Sequence, residues 1–185
     1  MHRIRSRRIL ALSLFTICIM AILLPSGCCN STPNANPTPS PTPDLTIAPK
    51  VGSLAPDFEA TTLDGGTVSL EDLKGKPVLL LFWGTTCGAC NANMPHVQAA
   101  FEARGEEVNF IAIETGSSNA SVQQYVDNKG LGFTVALGKG STAPTDYKVM
   151  YIPMTFFIDS HGIIQGKQVG AYPSADALLA AMEDL

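Results

Sequence analysis

Cys87 and Cys90 are separated by two residues in Trp83-Gly84-Thr85-Thr86-Cys87-Gly88-Ala89-Cys90. A thiolate is the nucleophile of disulfide exchange, and a second thiol three positions on can resolve the mixed disulfide that the first one forms. The chemistry these residue types suggest is a two-electron exchange of sulfur–sulfur bonds. It depends on where the pair sits. Before it runs Pro77-Val78-Leu79-Leu80-Leu81-Phe82, an apolar run that reads as a buried strand. After it, Met94, Val97 and Phe101, with Ala92, Ala99 and Ala100 among them, follow helical spacing. The pair therefore lies where a central strand ends and a helix begins. The first helical turn has N–H groups without intrahelical partners, and its dipole favours negative charge. Cys87 is expected there to ionise below the ~8.5 of a free cysteine.

Other elements must hold that junction. Glu59-Ala60-Thr61-Thr62 and Thr67-Val68, joined through Asp64-Gly65-Gly66, predict a hairpin. Ser69, with Asp72 three residues on, predicts the cap of a short helix that Gly75 closes. Gly105 ends the long helix after Arg104. Val108 to Ile113 predicts a second apolar strand. Ser121 with Gln124 predicts a capping box for a helix to about Asn128, stopped by Gly130. Phe133 to Leu137 is a shorter strand, and Gly138 to Tyr147 a loop with room for one helical turn. Tyr151 to Asp159 and Ile163 to Val169 predict a hairpin through Ser160-His161-Gly162. Ser174 caps a last helix with Leu178, Leu179 and Met182 inward. Strands that alternate with helices and end in a hairpin and a helix predict an α/β fold, a mixed central sheet with helices on both faces.

The chain has 185 residues, 45% of them hydrophobic, enough for one core and some extensions. Residues 1–27 start with Arg3, Arg5, Arg7 and Arg8 and continue as an apolar run from Ile9 to Leu24, the pattern of an export signal. It ends in Ser26-Gly27-Cys28, which resembles a bacterial lipobox and implies a lipid on Cys28, although Pro25 stands where Leu is usual and Cys29 is a second candidate. Residues 28–49 are rich in Pro, Asn, Ser and Thr and read as an extended tether. The domain is assigned to residues 50–185. These features predict a domain outside the cytoplasm, anchored to the membrane through its N-terminus. Without residues 1–27 the chain holds 8 basic and 16 acidic residues, a balance that excludes nucleic acid as a partner. Of five cysteines only Cys87 and Cys90 fall in the domain, too few for a disulfide scaffold and half a structural zinc site.

From about Val51 to Leu185 the chain resembles the thioredoxin superfamily, in particular the TlpA/ResA-like membrane-tethered thiol–disulfide oxidoreductases. The residues that carry the likeness are Ala55-Pro56-Asp57-Phe58, Phe82-Trp83-Gly84 before Cys87 and Cys90, Met94-Pro95, and Ile152-Pro153-Met154-Thr155-Phe156-Phe157-Ile158-Asp159 with Gly162. The resemblance implies a thioredoxin fold with an N-terminal hairpin extension. It implies a cis Ile152–Pro153 bond against the sulfurs, with Ile152 free to pair with a substrate's extended backbone, and Trp83 packed beside the site. It further implies disulfide-containing protein substrates, for example apocytochrome c before haem attachment, a membrane thiol donor, and a monomer with neither metal nor cofactor.

The chain departs from the pattern at two acids. Leu81 and Asn93 stand where many relatives bury an Asp and a Glu that relay the proton of the second cysteine. Glu114, at the end of the second strand, is a candidate substitute; a solvated loop acid is its simpler reading. Ala89 replaces the Pro common inside the pair, which leaves the potential open. Two other classes stay in view. A peroxiredoxin-like peroxidase shares Ala55-Pro56-Asp57-Phe58, but Leu80 and Gly84 stand where its Pro and Thr belong, and Arg104 is the one arginine of the mature chain. A copper chaperone using Cys87, Cys90 and His96 or His161 would exploit soft thiolates, though related copper carriers space their cysteines more widely.

Overall fold

The computed structural model describes residues 46–185; the expected export signal, the expected lipid site at Cys28 and most of the expected tether lie outside the described residues. Seven strands form one sheet: β1 (Glu59–Thr62), β2 (Thr67–Ser69), β3 (Val78–Trp83), β4 (Asn109–Glu114), β5 (Thr134–Leu137), β6 (Met154–Ile158) and β7 (Ile164–Val169). Their order is β2-β1-β5-β4-β3-β6-β7. β3, β4 and β5 run parallel, whereas β1, β2, β6 and β7 pair antiparallel with their neighbours. This is the mixed sheet predicted above, with β1 and β2 as the N-terminal extension.

All six residues of β3 are buried, as a strand covered on both faces requires. Their alternation divides the core. Val78, Leu80 and Phe82 join Phe58, Tyr147 and Phe156 on one face. Leu79, Leu81 and Trp83 join Met94, Val97 and Leu178 on the other. Four helices follow: α1 (Gly88–Arg104), α2 (Asn119–Lys129), α3 (Ala143–Asp146) and α4 (Ala175–Ala180). The crossovers β3–α1–β4 and β4–α2–β5 step the same way across the sheet. Right-handed connections therefore put α1 and α2 on one face, where α4 joins them, and α3 covers the other on the return to β6.

Two boundaries differ from the sequence reading by three residues. α2 begins three residues early: Ser118, not Ser121, is the cap, and its Oγ accepts the Ser121 N–H at 3.3 Å. Gly130 ends α2 as expected, at φ +62°, a left-handed conformation that suits glycine. The strand expected from Tyr151 begins at Met154, because Pro153 has no N–H for the ladder with β3.

Candidate active site

The dithiol sits at the carboxyl ends of the parallel strands β3 and β4, where open α/β sheets place their sites. Cys87 caps α1: its φ and ψ are −81° and 116°, and its Sγ accepts the Cys90 N–H at 3.1 Å. That amide and the helix N-terminus face the sulfur that must carry charge, as the spacing predicted. Cys87 and Cys90 form a disulfide, with Cα atoms 5.2 Å apart. The two sulfurs differ in access. Cys87 is half-buried, whereas Cys90 is 0% exposed. Only Cys87 can meet a bulky partner; Cys90 cannot.

The Ile152–Pro153 bond is cis, and the Ile152 carbonyl lies 3.7 Å from Cys87 Sγ. Gly84 allows this approach. A Cβ at Gly84 would lie 3.1 Å from Ile152 Cδ1 and 3.7 Å from Glu114 Oε1. Trp83 is fully buried and packs at a tilt on Tyr125, with ring centroids 5.0 Å apart. Burial raises the Tyr125 hydroxyl above its usual range.

Glu114 is not the solvated loop acid of the simpler reading: it is 2% exposed. Its carboxylate accepts the N–H of Gly116 at 2.9 Å and that of Ser117 at 2.8 and 3.0 Å. The register of the parallel ladder sets it beside Trp83. The carboxylate thus ties down the loop after β4, and that loop is tied to the turn before Cys87. Thr115 donates to the Trp83 carbonyl through its N–H at 2.9 Å and its hydroxyl at 3.0 Å. The hydroxyls of Ser117 and Thr85 lie 2.5 Å apart, and Asn91 Nδ2 donates to the Thr85 carbonyl at 3.3 Å. Thr85, Asn91, Thr115 and Ser117 went unnoticed in the sequence, since no spacing marks a bond between residues 85 and 117. Asn93, where relatives bury a Glu, is itself buried; its Oδ1 accepts the Tyr172 N–H at 2.9 Å and joins α1 to the segment before α4. Burial pushes the Tyr172 hydroxyl up to about 12.

Other candidates lie apart from the sulfurs. Arg104 ends α1, with its guanidinium on the Met182 carbonyl at 2.6 Å and on Glu107. No group of three His, Cys, Asp or Glu side chains gathers as a metal site among the described residues. His161 belongs to the β6–β7 turn, where Asp159 accepts its N–H, and His96 lies within α1.

The model of the AhpC/TSA family matches residues 51–167, which include both cysteines and the cis-proline. The chain belongs to the AhpC/TSA family. Within it, the similarity is to TlpA/ResA-like redoxins. The thiol-disulfide oxidoreductase ResA of Bacillus anthracis is 36% identical over 122 residues, 65% of this chain and 70% of that protein. A secreted Mycobacterium tuberculosis disulfide oxidoreductase homologous to E. coli DsbE superposes with a TM-score of 0.63 at 29% identity, over 69% of this chain and 95% of that one. MTB DsbF superposes with a TM-score of 0.64 at 26% identity, over 75% and 98%. The thioredoxin fold expected of this redoxin is the one it has.

Proposed function

We propose that this redoxin is a membrane-tethered, extracytoplasmic reductant of protein disulfides. It is a thiol–disulfide oxidoreductase by family, and one observation carries the mechanism: Cys87 is accessible at a helix N-terminus and bonded to a fully buried Cys90. In the reduced enzyme the Cys87 thiolate attacks a client disulfide. A Cys87–client bond forms, the client bond breaks, and the released client thiolate takes a proton. Cys90, losing its proton, then attacks Cys87 Sγ. The client leaves as a dithiol and the enzyme as a disulfide, two electrons having passed to the client. A membrane thiol donor resets the pair. The signal-like residues 1–27 and Cys28 support tethering, and clients such as apocytochrome c are what the TlpA/ResA-like resemblance implies.

Insulin reduction tests the reading. Cys87→Ser is expected to abolish turnover, and Cys90→Ser to hold the client as a covalent adduct. Turnover that survives in Cys87→Ser rejects the assignment. Against glutathione, a potential near thioredoxin's, about −270 mV, fits a reductant, and one near −120 mV an oxidant. Replacing Cys28 by Ala is expected to release the protein from the membrane fraction.

A further inference from the structure

A buried donor without a partner is rare in a folded protein, and each one calls for an explanation. Asn93 carries such a donor beside the reacting pair. The residue is 1% exposed, and its Nδ2 has no hydrogen-bond partner. Its orientation is fixed, because Oδ1 accepts the Tyr172 N–H at 2.9 Å. The amide thus keeps its oxygen on the segment before α4 and has its own N–H groups free to give. Asn93 stands three residues after Cys90 on α1. Helix positions i and i+3 are neighbours, about 5–6 Å apart at Cβ, and a helical side chain leans back over the turn before it. That turn carries Cys90, which is 0% exposed and so has no water to bond its sulfur. Glu114, the one buried acid among the described residues, is already taken up by the Gly116 and Ser117 amides.

We infer that Asn93 Nδ2 donates a hydrogen bond to Cys90 Sγ once the disulfide opens, and so stabilises the resolving thiolate. The inference rests on the dithiol mechanism above and holds whichever way electrons flow. In the disulfide, Cys90 Sγ is bonded to Cys87 and the Nδ2 donor is unpaired. Opening the disulfide adds two electrons to the pair, frees Cys90 Sγ and gives that donor an acceptor. In the resolving step Cys90 gives up its proton to water and its thiolate attacks Cys87 Sγ. The Cys87–Cys90 bond forms, the Cys87–client bond breaks, and the client sulfur leaves as a thiolate that takes up a proton. A thiolate in a site closed to water needs a donor, and Asn93 supplies one. Asn93 itself neither takes nor relays the proton. Without its donor the resolving step slows. The reduced form also loses a bond that the oxidised form lacks, so the potential of the pair falls.

The test uses the reduced full chain in detergent, mixed with dithiobis(nitrobenzoate), an aromatic disulfide whose released thiol absorbs visible light. Absorbance rises in two phases. The first is attack by Cys87 on the reagent; the second is displacement of the aromatic thiol from Cys87 by Cys90. In Asn93→Leu, which keeps the branched shape and carries no donor, the second phase is expected to slow about tenfold, the low end for a hydrogen bond to a charged group. The first phase is expected to keep its rate. In glutathione buffers the equilibrium is expected to favour the disulfide about tenfold more, a potential about 30 mV more negative. A role limited to holding the Tyr172 N–H would move neither reading, since that bond does not involve the sulfurs. If the variant does not fold, the wild-type chain decides. In proton–nitrogen NMR spectra the Asn93 side-chain amide, assigned through its contact with the Tyr172 N–H, is expected to shift downfield on reduction. A folded variant with second phase and potential unmoved overturns the inference, as does an amide resonance that ignores reduction. A wild-type chain that releases no second thiol overturns the dithiol mechanism itself, and the inference with it.

Discussion

Replacing Glu114 by Gln keeps its size and removes one acceptor oxygen. The Gly116 and Ser117 amides would then compete for a single carbonyl oxygen. Gly116 is exposed and Ser117 half-buried, so the amide left over can reach water, and the loss is that of one hydrogen bond, about 0.5–1.5 kcal/mol. Glu114→Gln is therefore expected to lower unfolding stability in a denaturant titration by that order. It is also expected to slow disulfide turnover while labelling of Cys87 persists, and unchanged turnover would remove Glu114 from the mechanism. The sulfur pair itself was legible because its geometry is local: a cap and a residue one turn on. The brace around it was not, because Thr85 meets Ser117 only once β3 and β4 are in register. Glu114 looked solvated for the same reason. A carboxylate at a strand end gives no sign in sequence of the two amides that fold back onto it.

Elements raise a different question, which of two plausible caps a helix uses. Ser118 and Ser121 both precede the apolar positions of α2, and Ser121 with Gln124 fits the capping pattern better. The loop held by Glu114 delivers the chain to Ser118 already in extended conformation, and the earlier cap is used. Ser118→Ala is expected to cost about 1 kcal/mol in thermal unfolding, and Ser121→Ala distinctly less. The β6–β7 turn is organised by Asp159, whose carboxylate accepts the N–H of His161 and of Ile163 at 2.9 Å each and the Gln165 amide at 2.6 Å. Partial burial pushes its carboxyl up, but these bonds outweigh burial and hold it below the usual carboxylate range. A depressed folded pKa stabilises the fold above the unfolded value of about 3.9, and that contribution is lost as pH falls through the folded value. Asp159→Asn should therefore flatten the acid limb of the stability curve below about pH 4, read by circular dichroism.

Across the whole molecule, the alternation of strands and helices and the closing hairpin were enough to predict a mixed, two-faced sheet. The strand order was not, since nothing local says that β1 pairs with β5. The charge balance also acts at this scale. With 15 acidic and 8 basic residues in 46–185, the domain is expected to be retained on an anion exchanger and to pass through heparin at low salt. Retention on heparin would reveal a basic face that the totals conceal. A last consequence comes from Trp83, the one tryptophan of the chain, which shares a buried cluster with Cys90. Its indole emission can serve as a built-in optical gauge of electron occupancy at the sulfurs, with no dye attached and no other fluorophore of its kind to dilute the signal.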